Sequence, residues 1–198
     1  DWDVSNVDNM EYMFSQASKF NKNLSDWNTS QVTKMNYMFY QASDFNGDLT
    51  NWDVSKVTTF TAMFYQASEF NGNLSNWTFG VEAELNSMFE GASSFNRDIS
   101  GWDVSNVTNM QSIFNGATSF NQDLGDWNIT NVTNMQNMFN SVTLSRSNYD
   151  SLLIGWAGLP LLQSSVNFHA GNSQYCRGGS ARNDTLIDTW SWSITDGG

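Results

Sequence analysis

Apolar positions along residues 1–142 recur with a period of 25 and never slip by a residue. Trp2, Trp27, Trp52, Trp77, Trp102 and Trp127 head six successive units. Two residues later stand Val4, Thr29, Val54, Phe79, Val104 and Ile129, and three further on Val7, Val32, Val57, Glu82, Val107 and Val132. Met10, Met35, Phe60, Leu85, Met110 and Met135 follow, then a Met/Ile-Phe pair running from Met13-Phe14 to Met138-Phe139. An alanine (Ala17 to Ala117), a phenylalanine (Phe20 to Phe120) and a leucine or isoleucine (Leu24, Leu49, Leu74, Ile99, Leu124) close the unit. Self-similarity at a fixed period of this length is the signature of a solenoid, in which each coil buries its apolar face only against its neighbours.

The apolar period changes inside the unit. Around tryptophan it is two, with Trp52 and Val54 in and Asp53 and Ser55 out, which is the pattern of a short half-buried strand. From Val57 the spacing becomes three, three, one, three (Val57, Phe60, Met63, Phe64, Ala67), which is one face of a short helix. Ser5, Ser30, Ser55, Ser105 and Thr130 stand where such a helix needs a cap. The Phe-Asn-x-Asp/Asn-Leu stretch reads as the returning turn. The expected fold is therefore an α/β solenoid, leucine-rich-repeat-like, with six 25-residue strand–helix coils, a parallel β-sheet and irregular C-terminal capping coils. Each fully buried side chain of this size contributes roughly 1.5–3 kcal/mol. Residues 77–88 depart from the pattern, since Gly80 replaces the capping serine and Glu82 the valine, although the spacing holds.

The string Trp-Asp-Val-Ser-Asn-Val-Thr-Asn-Met, followed by Ile-Phe, Ala and Phe-Asn-x-Asp-Leu, as in residues 102–124, resembles the BspA-like leucine-rich repeats of bacterial surface proteins. The same repeat occurs in mycoplasma lipoproteins of unknown function. The resemblance implies a leucine-rich-repeat-like solenoid, cell-surface or secreted, used as an adhesin. It covers residues 1–142. Residues 143–198 read as capping coils of the same domain, with a helix at Tyr149–Ala157, a further helix at Ala181–Thr189, and strand-like alternation at Val166-Asn167-Phe168 and Trp192-Ser193-Ile194. Pieces of this segment resemble the closing stretch that often follows such repeats. Lacking an initiator methionine and an N-terminal cap, the chain reads as a fragment of a longer protein.

Twenty acidic against eight basic residues give a net charge of −12. No basic patch exists to neutralise phosphates, so nucleic acid is disfavoured as a partner, as are anionic membrane surfaces. No membrane insertion is expected of this segment. A single cysteine, Cys176, excludes an internal disulfide. The one histidine, His169, has no evident catalytic or ligating companion, and Cys/His metal spacing and phosphate loops are missing. The many carboxylates fall on repeating columns, so none stands out as an active-site pair would. The expectation is a non-enzyme without cofactor.

Three surface features remain. Residues flanking tryptophan form a column of oxygen-bearing side chains, including Asp1, Asp26, Asp53, Asp103 and Asp126. They suit a polar partner surface or weak surface calcium sites, since calcium favours oxygen ligands. However, the position after tryptophan reads Asp, Asn, Asp, Thr, Asp, Asn, so neighbouring coils never both carry Asp there, which favours a plain solvated face over calcium. Asn21, Asn46, Asn71, Asn96 and Asn121 form a second column in a turn, where stacked amides can satisfy backbone groups of adjacent coils. Tyr12, Tyr37, Tyr40 and Tyr65 cluster off the core columns in the first three units, either as a recognition patch for protein or sugar or as packing against neighbouring coils. The expected function is a non-catalytic binding module meeting a protein or glycan on another cell or host surface, and the alternative is a structural spacer or stalk.

Overall fold

The computed structural model describes residues 2–81 and 83–198. Within the repeats, the backbone bonds that matter run between residues one unit apart. The N–H groups of Met10, Tyr12, Phe14 and Gln16 donate to the carbonyls of Lys34, Asn36, Met38 and Tyr40 at 2.6–3.1 Å. Met35, Tyr37, Phe39 and Gln41 do the same to Thr59, Thr61, Met63 and Tyr65. The alternate N–H groups turn inward: Met13 donates to Met10, Ser15 to Tyr12 and Ala17 to Phe14. Each unit thus traces overlapping turns whose outer bonds clip it to the next unit.

That arrangement replaces the short helix expected over Val57–Ala67. An α-helix requires each N–H to bond four residues back, and here every second one is committed to the following repeat. The turns need left-handed residues, and they fall on two columns. Tyr12, Tyr37 and Ala62 have φ between 51° and 59°, and Gln16, Gln41 and Gln66 between 53° and 61°. In the second column the fourth and fifth units carry Gly91 and Gly116, at φ 73° and 72°, where glycine removes the Cβ penalty. The Trp-x-Val segment, expected as a strand, makes no bridge. Parallel bridges lie seven residues after each tryptophan instead: Asn9 to Lys34, Lys34 to Thr59, Thr59 to Glu84, and Asn109 to Asn134.

The apolar columns are core ladders. Phe14, Phe39, Phe64, Phe89, Phe114 and Phe139 stack ring on ring at 5.4–5.8 Å, each from Phe14 to Phe114 paired inside its own unit with the second phenylalanine at 3.9–4.1 Å. Trp52, Trp77, Trp102 and Trp127 are buried, and each indole Nε1–H donates to the carbonyl of the closing Leu or Ile two units' turns back, at 2.9–3.4 Å. A buried donor and a buried acceptor are satisfied together at every rung.

Ser145 caps helix α1 (Arg146–Ala157), its hydroxyl accepting from the Asn148 N–H. The helix begins three residues before the expected Tyr149 and buries Tyr149, Leu152, Leu153 and Trp156. Trp156 continues the indole ladder by donating to the Leu124 carbonyl at 3.0 Å. Strand β1 (Asn167–His169) pairs in parallel with β2 (Ser193–Thr195), and a bridge from Met135 to Phe168 joins β1 to the sixth unit. Between the strands, Ala181–Ile187 forms a π-helix.

Candidate binding surface

The residues around the bridge column form an open groove. Glu11, Lys34, Asn36, Thr58, Thr59 and Glu84 line a cavity of about 400 Å³. A second cavity of about 520 Å³ is lined by Ala83, Glu84, Asn106, Thr108 and Asn109. Glu84 belongs to both, so the groove runs from the first unit into the fifth. Its floor is polar and internally bonded. Asn36 donates to Glu11 at 2.8 Å, the Thr59 hydroxyl contacts Asn36, and it donates to Glu84 at 3.3 Å. Hydrogen bonds from Asn36 and Asn9 hold the Glu11 carboxyl below its usual range, with Lys34 adding to the effect.

Tyr12 and Tyr37 directly follow groove residues Glu11 and Asn36. The structure brings all four expected tyrosines into one continuous band. Tyr12 stacks on Tyr37 at 4.8 Å, Tyr37 meets Tyr40 edge-on at 5.8 Å, and Tyr40 stacks on Tyr65 at 4.8 Å. Tyr12 is 57 % exposed and the other three are half-buried. Each stacked pair covers one face of each ring. Burial, Glu90 and Tyr40 raise the Tyr65 phenol above its ordinary value.

The aspartates flanking tryptophan lie elsewhere, fully exposed at Asp26, Asp53, Asp103 and Asp126. Asp53 accepts from the Ser55 hydroxyl at 2.7 Å and N–H at 3.0 Å, and Asp103 accepts from the Ser105 N–H at 3.0 Å. These bonds hold both carboxyls below their ordinary values and make the residues turn-formers. Among the described residues, no group of three or more His, Cys, Asp or Glu is placed to hold a metal ion. Asp1 and Glu82 lie outside the described residues.

The asparagine column forms a relay. The side-chain oxygens of Asn21, Asn46, Asn71 and Asn96 each accept the backbone N–H of the next asparagine at 2.9–3.1 Å, and Asn121 accepts from Ser145 at 2.8 Å. The column therefore ties the fifth repeat to the N-terminus of α1.

Between the fourth and fifth units the bridge ladder is interrupted. Bridges join Asn9, Lys34, Thr59 and Glu84 in sequence and resume from Asn109 to Asn134, but none joins Glu84 to Asn109. Phe60 and Met110 donate their N–H groups to Glu84 and Asn134, whereas the equivalent Leu85 N–H makes no bond to Asn109 among the described residues. Thr33 and Thr133 donate to Asp8 and Thr108, whereas the equivalent bond from the Thr108 N–H to Ala83 is not made among the described residues. The larger cavity, lined by Ala83, Glu84, Asn106, Thr108 and Asn109, lies at this interruption. The sequence signal was the departure of residues 77–88 from the repeat pattern. The groove residues themselves escaped the sequence reading, because Glu11, Lys34, Thr59 and Glu84 share no residue type that would mark a column.

The cap holds a separate polar cluster. Tyr149 donates to Asp196 at 2.7 Å, and Arg182 forks onto the same carboxylate at 2.7 and 3.1 Å. Burial pushes the Asp196 carboxyl up, but the bonds from Arg182 and Tyr149 prevail and hold it below its ordinary value. Nearby, Asp150 accepts the N–H groups of Cys176, Arg177 and Gly178 at 2.8–3.0 Å. Burial raises its pKa, and those donors outweigh it. Every side chain of these two clusters is used in closing the cap.

A family model described as "Mycoplasma protein of unknown function, DUF285" matches residues 1–83 and again 78–153, together covering more than half of the chain. The chain belongs to the DUF285 family. The DUF285 match extends past the regular repeats into α1, the helix that the indole and asparagine ladders tie to the fifth unit. No curated protein and no solved structure matches this chain.

Proposed function

We propose that this DUF285 chain is a non-catalytic recognition module, a leucine-rich-repeat-like solenoid of the BspA type carried at a cell surface or secreted, whose repeats present a groove to a protein partner. The observation that carries the reading is the groove itself, which follows the bridge column from Glu11 to Asn109 and borders the tyrosine band. A protein is favoured over a glycan because the tyrosines stack on one another. Stacking covers one face of each of these tyrosines with a fellow tyrosine, which reduces the ring face open to a sugar, while the phenolic hydroxyls suit hydrogen bonding to a peptide.

The alternative reading, a structural spacer, draws on the uniformity of the ladders, since a rod needs only identical contacts at every rung. A pull-down and glycan-array screen with the wild-type chain and a Tyr37→Ala/Tyr40→Ala double variant separates the two. A recognition module retains a protein partner at micromolar concentration and loses it in the double variant. No retained ligand of either class points to the spacer. Turnover of any substrate that depends on one carboxylate overturns the non-enzyme reading.

A further inference from the structure

We propose that the tyrosine band binds a proline-rich segment of a partner protein in the polyproline II conformation, with arginine or lysine flanking the prolines. The inference rests on the recognition-module reading and names the partner's chemistry at that surface. The first observation is where the tyrosines stand. Tyr12 and Tyr37 occupy left-handed backbone, at φ 59° and 56°, in the column where later units carry Ala62, Ser87, Ser112 and Asn137. Left-handed backbone disfavours a bulky side chain, and strain of this kind clusters where a side chain serves binding. Tyr40 and Tyr65 likewise stand in a column where the other units carry Ser15, Glu90, Asn115 and Asn140. The coils therefore stack at both positions without an aromatic ring, and the solenoid itself does not demand these tyrosines.

The second observation is the shape of the band. Tyr12 and Tyr37 form one stack and Tyr40 and Tyr65 another, each within 9° of parallel, and the two stacks meet edge-on at Tyr37 and Tyr40. Two rungs of 4.8 Å separate the ends of the band along the solenoid. One turn of a polyproline II helix, three residues of about 3.1 Å each, advances by nearly the same length. Two prolines one turn apart can thus meet the first and the last tyrosine. Polyproline II has no internal hydrogen bonds, so its carbonyls can accept from the phenols. Aromatic-lined surfaces hold proline-rich segments in this way because the ligand is already ordered. Charge supplies the flanks. Glu11 directly precedes Tyr12, and Glu90 follows Tyr65 in the same column, where burial and the Glu90 charge together raise the Tyr65 phenol above its ordinary value. An acid at each end of the band, on a chain of net charge −12, favours a cation at each end of the ligand.

The probe is a fluorescein-labelled peptide library with arginine at both ends, two prolines fixed one polyproline turn apart and the remaining positions randomised. One counterpart library carries alanine at the proline positions, and another carries glutamate in place of arginine. The chain is titrated into each by fluorescence anisotropy, and shifts are mapped by NMR. The expected result is binding about tenfold tighter to the proline library than to the alanine library, since the prolines cut the cost of ordering the ligand. The glutamate library should bind more weakly, and the largest shifts should fall on Tyr12, Tyr37, Tyr40 and Tyr65. Tyr37→Ser/Tyr40→Asn, which borrows the residues of later units in the same columns, should lose the proline preference while keeping the wild-type circular dichroism spectrum. Glu90→Asn, borrowed from the fifth unit, should narrow the gap between the arginine and glutamate libraries. Equal binding of the proline and alanine libraries overturns the proposal. Shifts centred on Lys34, Thr59 and Glu84 also overturn it, while leaving the recognition module standing at its groove. If no library binds but a pulled-down partner is still lost in the Tyr37→Ala/Tyr40→Ala variant, the polyproline assignment falls alone. If neither is seen, both readings fall.

Discussion

Replacing Phe64 by leucine should cost more than the same replacement at Phe14, and the difference measures the coupling between repeats. Both residues keep an equivalent partner inside their own unit, Phe70 at 3.9 Å and Phe20 at 4.0 Å. Along the column they differ. Phe64 stacks on Phe39 and Phe89, both at 5.5 Å, whereas Phe14 stacks only on Phe39 at 5.4 Å. An aromatic pair contributes about 0.5–1.5 kcal/mol beyond the area it buries. Each also meets the tryptophan of the next unit, Trp77 at 6.5 Å and Trp27 at 5.8 Å. Leucine keeps most of the buried area and removes the aromatic contacts, so Phe64→Leu loses three inter-repeat pairs and Phe14→Leu two. The expected gap is about 0.5–1.5 kcal/mol, widened slightly because Phe14 is 8 % exposed and Phe64 fully buried. Urea unfolding followed by tryptophan fluorescence, with both variants analysed at a common m-value, reads the gap directly. Equal losses at the two positions, or a larger loss at Phe14, would refute the claim that each rung is stabilised by nearest neighbours on both sides.

Trp102→Phe should destabilise by about 1–3 kcal/mol more than its lost area accounts for, because the buried Leu74 carbonyl loses its donor; a calorimetric comparison with Trp2→Phe, at a 67 % exposed position, gives the baseline. Gly171→Ala should prevent the cap from forming, since at φ 66° an added Cβ collides with the Val142 and Phe139 carbonyl oxygens, whereas Gly116→Ala, with 3.6 Å of clearance, should cost only about 1–2 kcal/mol of left-handed strain; circular dichroism melts distinguish the two. Asp196→Asn should cost about 3–5 kcal/mol by leaving Arg182 unpaired beneath the cap. The folded Asp196 carboxyl lies below its ordinary value of 3.8, so its contribution is present above that value and is lost as pH falls below it. An acid titration should accordingly lose the cap in that window in the wild type and show a shallower dependence in the variant.

The buried columns were legible because a 25-residue repeat writes the same apolar choice six times. Val32, Met35, Phe39, Phe45 and Leu49 all lie inside. The local backbone was not legible. The three-and-one spacing from Val57 to Ala67 matches a helical face, but overlapping turns with two left-handed residues give the same inward set. Tyrosine, glutamine, alanine, serine and asparagine occupy all of those left-handed positions except two, so only Gly91 and Gly116 marked them. Bonds between units also leave no trace in a period, which is why the indole-to-carbonyl ladder had to be seen. For the binding surface, the tyrosine cluster could be read from composition along one column. The groove could not, because it is defined by which backbone segment carries the bridges; of the aspartates chosen by alternation, Asp53 and Asp103 bond within their own turns.

The inter-repeat bonds do not all point the same way. Met10, Tyr12, Phe14 and Gln16 donate to the following unit, whereas Thr33, Asp44 and the Asn46 backbone donate to the preceding one. Their dipoles oppose across the thickness of each unit. An α-helix of comparable length gathers partial charge at its two ends; this stack cancels it rung by rung. Repeats can therefore be gained or lost in multiples of 25 residues without an electrostatic penalty that grows with length, and each interface offers the next one both donors and acceptors. What accumulates along such a chain is only the side-chain charge, so its −12 can be set by surface residues independently of how many rungs hold it up.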